Sequence, residues 1–219
     1  LEIARTCERG LVVCGPLAPN AERSAAIAEF ARLTGWPIFA DPMSQLRRGP
    51  HVGAAPVLAH GDLLLRDPPL AAQWAPDVVV RLGDSPVSKS LRLALEARPP
   101  EHMILVDPDR VGHDPSQLAS RVLVADPGAL CEAWAGAWRD AGWSARESEY
   151  TMQCLADDGR AADALSTALA NPGEFLEPQA VRELAEALPA DATLYVSNSM
   201  PIRDLDAFLA ASPRPLRIL

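Results

Sequence analysis

The chain has 219 residues, 48% of them apolar, and a formal net charge of −9 at pH 7. That acidity argues against nonspecific nucleic-acid binding, which needs a basic face, and no stretch approaches the ~18 uninterrupted apolar residues of a membrane-crossing helix. The four cysteines, Cys7, Cys14, Cys131 and Cys154, form no Cys-x-x-Cys pair and have no histidine at zinc-finger spacing, so free thiols in a reducing cytoplasm are expected.

Gly10-Leu11-Val12-Val13-Cys14-Gly15 reads as a strand buried on both faces, as in a parallel sheet. Pro19 to Thr34 reads as a helix, with Ala26, Ile27, Phe30, Ala31 and Leu33 on one side and Gly35 ending it. Pro37 to Ala40 is a short strand that stops at Asp41-Pro42. Val57 to Leu65 reads as a helix weakened by Gly61. Asp77 to Gly83 is the clearest strand, followed by a helix over Val87 to Ala97, strands at Met103–Asp107 and Val122–Ala125, and a helix over Gly128 to Ala141. A polar helix is expected over about 145–169, then a break at Asn171-Pro172-Gly173. A helix (Glu177 to Leu188), a strand (193–197), a helix (201–211) and a strand beginning at Leu216 complete the pattern.

Strands alternating with helices predict an α/β fold with a parallel sheet and right-handed crossovers. The expected organisation is a three-layer central α/β domain of five or six strands over 1–143, a linker helix and loop over 144–172, and a truncated second α/β unit over 173–219. Leu1, with no initiator Met or signal-like segment, and a last strand that has only begun suggest a piece of a longer protein. The second unit barely exceeds the size below which isolated domains need partners. Its open strand edges predict that residues after about 170 are mobile, exchanged between chains or packed against a neighbour.

Three strand ends share one design: Val13-Cys14-Gly15-Pro16, Leu82-Gly83-Asp84-Ser85-Pro86 and Val196-Ser197-Asn198-Ser199-Met200-Pro201. Each leaves a strand through small or polar residues and reaches proline near a helix start. Ordinary turn chemistry accounts for the first. The other two suit ligand binding at the carboxyl ends of parallel strands. At Ser199 the first backbone N–H groups of a helix lack chain partners and attract anions. Pro201 suits a first helical turn, Asn198 and Ser199 can cap or bind there, and Arg203 lies one turn on. A phosphate or carboxylate ligand follows. Lys89 is the only lysine and is expected about one turn into its helix, where the dipole disfavours a cation. A substrate carboxylate would give it a use; a solvated surface lysine is the other reading.

No Gly-x-Gly-x-x-Gly loop and no Gly-x-x-x-x-Gly-Lys-[Ser/Thr] loop occurs, which argues against a Rossmann dehydrogenase and a P-loop NTPase. Asp157-Asp158-Gly159 resembles a metal loop only superficially and is expected to be solvated. His51, His60, His102 and His113 are scattered, and no Ser-His-Asp set follows from their spacing. Arg66 and the Arg47-Arg48 pair receive no role from the sequence.

Ser197-Asn198-Ser199-Met200-Pro201-Ile202-Arg203-Asp204-Leu205-Asp206 resembles the Asn-Ser-x-x-x-Arg motif of the 2-succinyl-5-enolpyruvyl-6-hydroxy-3-cyclohexene-1-carboxylate synthases of menaquinone biosynthesis. Gly35-Trp36-Pro37-Ile38-Phe39-Ala40-Asp41-Pro42 with Ser44 to Arg47, His60-Gly61-Asp62-Leu63-Leu64-Leu65-Arg66, and Arg81 to Lys89 agree in order and spacing. The resemblance implies a three-domain transferase that uses thiamine diphosphate with Mg²⁺ or Mn²⁺. This chain would be the central domain and the start of the C-terminal one, without the pyrimidine-binding domain and its catalytic Glu. The implied reaction decarboxylates 2-oxoglutarate and adds the succinyl carbanion equivalent to isochorismate. It further implies that Arg203 and Ser199 are catalytic, that Asn198 and Ser199 meet the cofactor, and that Lys89, Asn198, Ser199 and Arg203 bind substrate, with Lys89 reaching toward isochorismate. Some relatives carry Arg after that lysine; here it is Ser90. No metal ligand is assigned. The whole protein is expected to be a cytoplasmic homodimer or homotetramer, and these 219 residues alone to be inactive and without tightly bound cofactor. Two other readings stay open: an acetolactate-synthase-like thiamine diphosphate enzyme, and a noncatalytic anion-binding α/β module.

Overall fold

The structure, a computed structural model, describes residues 2–109, 113–170, 173 and 175–219. The break expected at Asn171-Pro172 lies outside the described residues. In chain order the first elements are α1 (Glu2–Thr6), β1 (Gly10–Cys14), α2 (Ala21–Thr34), β2 (Ile38–Ala40), a 3-10 turn (Pro42–Ser44), β3 (Val57–Leu58), α3 (Gly61–Leu64) and α4 (Pro68–Gln73). They continue with β4 (Val78–Leu82), α5 (Lys89–Ala97), β5 (His102–Val106), β6 (Arg121–Leu123), α6 (Pro127–Asp140) and α7 (Glu149–Ala170). The last are α8 (Glu177–Ala187), β7 (Thr193–Leu194), α9 (Met200–Phe208) and β8 (Arg217–Ile218).

Strands β3-β2-β1-β4-β5-β6 form one six-stranded sheet, parallel throughout. Its apolar residues alternate between two faces, as the pleat demands. Val12, Cys14, Ile38, Val78 and Val80 pack with α2 and α6, where Phe30 stacks on Trp138 with centroids 5.5 Å apart. Leu11, Val13, Phe39, Val79 and Leu105 pack on the opposite side with Trp74, Leu91, Tyr150 and Cys154. The three-layer α/β architecture expected from the sequence is therefore present. Asn20 caps α2 by accepting from the Arg23 N–H, and Gly35 ends it in the left-handed conformation at φ 69°. The four cysteines are free thiols, and Cys14, Cys131 and Cys154 are buried.

Two expectations are corrected. Val57 to Leu65 is not one helix. Val57 and Leu58 pair with Ile38 and Phe39 as an edge strand, and the helix begins only at Gly61. The sheet's need for a partner beside β2 overrides the helical spacing. Asp157 and Asp158 are not solvated but buried, at 2% and 9% exposure. Asp158 accepts from the backbone N–H of Ala59 and His60 at 3.0 and 2.7 Å, and Asp157 accepts from the Trp74 indole at 2.8 Å. With Thr151 donating to the Gly35 carbonyl and Tyr150 to that of Trp74, these bonds fasten the first half of α7 to the sheet layer.

Strands β7 and β8 pair in parallel as a separate two-stranded sheet. Ala185, Ile202, Leu205, Leu209, Leu216 and Ile218 form its small core, which Met43 and Val87 of the first sheet's connections complete. Gln45 donates to the Ile218 carbonyl at 2.8 Å, and Gly49 and Ser212 exchange backbone bonds with Ser212 and Arg47 at 2.9 and 3.1 Å. The segment after 176 thus docks on the first sheet of its own chain. That supplies the packing partner which its size requires.

Candidate active-site segment

The carboxyl ends of β2, β3 and β4 face α9. The turn at Pro42–Ser44 follows β2, α3 follows β3, and Val87 follows β4; each meets α9 or its apolar cluster. Gly83 makes the last approach possible. Its φ is +80°, and a Cβ there would stand 2.7 Å from the Pro16 carbonyl oxygen.

Helix α9 starts as the sequence indicates, with Ser199 in the cap position and Pro201 in the first turn. Ser199 does not cap. Its backbone lies at φ 76°, ψ −127°, and its side chain makes no capping hydrogen bond. A non-glycine residue held there carries strain of order 1–3 kcal/mol. Asn198, Ser199 and Arg203 are exposed, while Ile202 beside Arg203 is buried. Lys89 is exposed too. It is the first residue of α5, directly after the cap Ser88, and not one turn in as expected. The dipole therefore acts on it near its strongest.

Among the described residues, the side chains of Lys89, Asn198, Ser199 and Arg203 make no hydrogen bond or ion pair. Val87 and Ile202 share one apolar cluster, so the two cationic arms spring from the same end of the sheet. The arrangement offers two unpartnered cations, a hydroxyl, an amide and the open first turn of a helix. That chemistry suits carboxylates.

Beneath these arms lies a buried polar cluster that the sequence did not disclose. Asp41 accepts from the N–H of Met43 and Val87, both at 2.8 Å. Asp62 accepts from the Ser88 hydroxyl at 2.7 Å and from Arg66, also at 2.7 Å. Arg47 and Asp206 form an ion pair of 3.0 Å with side chains only 2% and 3% exposed. Burial raises the Asp41 carboxyl above the usual carboxylate range, against the pull of its backbone donors. Burial also opposes ionisation of Asp62, but the bonds from Ser88 and Arg66 win and hold it low. Asp206 is pushed up to about 7, by burial first and then by the neighbouring Asp41 and Asp62, with Arg47 pulling the other way. The only sequence signal for this cluster was a set of charged residues inside otherwise apolar motifs.

The histidines do not converge. His60 is buried against Asp158, His113 pairs with Asp84 at 3.0 Å, His102 lies 3.6 Å from Glu101, and His51 bonds to the Leu46 carbonyl.

Residues 4–196 match the protein family described as "Middle domain of thiamine pyrophosphate". The chain belongs to this family. Within the thiamine pyrophosphate middle-domain family it is similar to proteins named 2-succinyl-5-enolpyruvyl-6-hydroxy-3-cyclohexene-1-carboxylate synthase. Identity is 39% with that of Geobacillus kaustophilus (strain HTA426), over 97% of the chain and 36% of the relative. It is 39% with that of Halorubrum lacusprofundi, over 93% of the chain and 35% of the relative. It is 38% with that of Myxococcus xanthus (strain DK1622), over 96% and 34%. The synthase resemblance carried by residues 197–206 and the three earlier motifs is thus borne out. The chain spans about a third of the length of the curated relatives it matches.

The residues present fit only part of what a thiamine pyrophosphate enzyme needs. Among the described residues, no group of three or more His, Cys, Asp or Glu side chains could hold a metal ion. The open start of α9 and its cationic neighbours fit an organic anion. Among the described residues no helix is long and apolar enough to cross a membrane.

Proposed function

We propose that this chain is the carboxylate-receiving part of a synthase that decarboxylates 2-oxoglutarate and joins the succinyl unit to isochorismate. On this reading 1–143 is the central domain, 144–172 the linker, and 173–219 the opening of a diphosphate-binding domain. Thiamine diphosphate, held with Mg²⁺ or Mn²⁺ by parts of the protein beyond these residues, supplies the carbanion chemistry. The residues here bind and orient. Arg203 pairs with a substrate carboxylate, Ser199 and Asn198 offer hydrogen bonds at the start of α9, and Lys89 meets isochorismate from the α5 side. Two cations aimed at carboxylates cut the entropy of bringing two acidic substrates together. The whole protein would be a cytoplasmic homo-oligomer.

One observation carries this reading. Lys89 and Arg203, unpartnered among the described residues, and the strained, uncapped Ser199 sit on α5 and α9, and Val87 just before α5 packs into the apolar cluster of α9. The test is CO2 release from 2-oxoglutarate by the full-length protein, with and without isochorismate. Release with formation of the coupled product is expected, and Arg203→Ala should impair turnover without unfolding the protein. Release with pyruvate in place of 2-oxoglutarate would point to an acetolactate-synthase-like enzyme. No release from either acid would leave an anion-binding module.

A further inference from the structure

Arg47 joins two elements that the sequence places far apart. Its Nε donates to the Ala40 carbonyl at the end of β2 at 2.9 Å. Its Nη1 donates to the carbonyls of Leu205 and Asp206, both at 2.8 Å, and its Nη2 to the Asp206 carboxylate at 3.0 Å. Leu205 and Asp206 lie in the last turn of α9, at the negative end of its dipole, and the Leu205 carbonyl also accepts from the Leu209 N–H at 3.0 Å. The guanidinium thus holds the tail of α9 to the end of β2. The head of the same helix carries Asn198, Ser199 and Arg203.

A second pair of bonds from the same cluster holds the other arm. Asp41 takes the Val87 N–H, and Asp62 takes the Ser88 hydroxyl. Lys89 is the next residue. Asp41 and Asp62 are also the carboxylates that bear electrostatically on Asp206. A buried ion pair adds little net stability compared with well-packed apolar side chains. Asp41 and Asp62 repel the Asp206 carboxylate, while Arg47 attracts both Asp206 and Asp41. The pair's distinctive product is geometric, because its bonds tie the end of β2 to the tail of α9.

We propose that Arg47 and Asp206 are positioning residues for the carboxylate site: they set where α9 presents Arg203 relative to the Lys89 arm. The proposal rests on the functional reading above. Helix α9 has nine residues. That makes it about 13 Å long, so a tilt of about 5° at the tail moves the head by about 1 Å. Misplacement on that scale can cost up to about a hundredfold in catalysis. Lysine cannot substitute, because its compact ammonium does not span the guanidinium's fork of partners.

The test uses the full-length enzyme with Arg47→Lys, Asp206→Asn, Arg203→Ala, and each of the first two combined with Arg203→Ala. Asp206→Asn keeps size and an acceptor, which guards against loss of fold if Arg47→Lys is too disruptive. KM for 2-oxoglutarate and for isochorismate, kcat and Tm are measured for each. Arg47→Lys and Asp206→Asn should raise KM for at least one substrate about tenfold or more, with a smaller change in kcat. In the Arg203→Ala background the same substitutions should change KM little, since the group they position is gone. A fall in Tm with KM unchanged would overturn the positioning role, as would KM effects equally large with and without Arg203. If Arg203→Ala alone leaves KM and kcat untouched, the carboxylate site itself is wrong and the positioning role falls with it.

Discussion

Ser88 and Asp62 share a hydrogen bond of 2.7 Å between the first residue before α5 and the short helix that follows β3. The same hydroxyl accepts from the Leu91 N–H at 3.1 Å, so one oxygen both caps α5 and partners a buried carboxylate. Ser88→Ala removes both. The lost cap costs about 1 kcal/mol, and the weakened partnering of Asp62 about 1 kcal/mol more. Urea unfolding should show a loss of about 2 kcal/mol; a loss below a few tenths would mean that α5 does not depend on this bond.

Asp206 makes stability depend on pH. Its carboxyl is raised to about 7 in the fold, by burial and then by Asp41 and Asp62, against Arg47. Arg66, paired to Asp62 on α3, adds a further positive charge nearby. Between the ordinary aspartate value and about 7 the folded state holds a proton that the unfolded state has released. Stability therefore falls as pH rises through that window, on the order of 1 kcal/mol per unit from this group. Asp206→Asn lacks the proton. Relative to the unsubstituted chain it should gain in stability from pH 5 to pH 7, read from denaturant midpoints. A difference that stays flat or runs the other way would refute the assignment.

Asp158 satisfies two buried backbone donors, those of Ala59 and His60. Asp158→Ala strands both. A stranded buried donor costs about 1–3 kcal/mol, so a total loss of about 3 kcal/mol is expected. Hydrogen exchange at Ala59 and His60 should accelerate well before exchange in β1 does. Uniform acceleration across the sheet would show that α7 is not stapled locally.

Cofactor affinity can be bounded from the donors present. A helix start gives up to about 2 kcal/mol and a charge-assisted hydrogen bond about 1.5–3 kcal/mol. Together they reach about 5 kcal/mol, a dissociation constant near a few tenths of a millimolar. Calorimetry of the 219-residue chain with thiamine diphosphate and Mg²⁺ should show no tighter binding. Micromolar affinity would mean that a diphosphate grip exists among these residues after all.

The architecture was legible because five of the six sheet strands carry continuous apolar runs, and long helices such as α2 and α6 have clear caps. Strand β3 was not, because Val57-Leu58 stands only a few residues before the apolar run of α3 and the two together mimic helical spacing. The arms of the site were legible as small polar residues at strand ends followed by proline. Their support was not. Arg47 and Asp206 are 159 positions apart, and Asp158 and His60 are 98 apart. Charged residues in such pairs look solvated until the fold brings them together. Asp157 and Asp158 were misread for that reason.

Ser199 occupies backbone space that glycine enters without strain. Replacing it with glycine would steady the start of α9 and discard the hydroxyl at its cap position. Laboratory evolution for heat tolerance alone should therefore drift toward glycine at this position, whereas evolution under selection for turnover should retain serine. The two outcomes would separate what the folded chain prefers from what its chemistry requires.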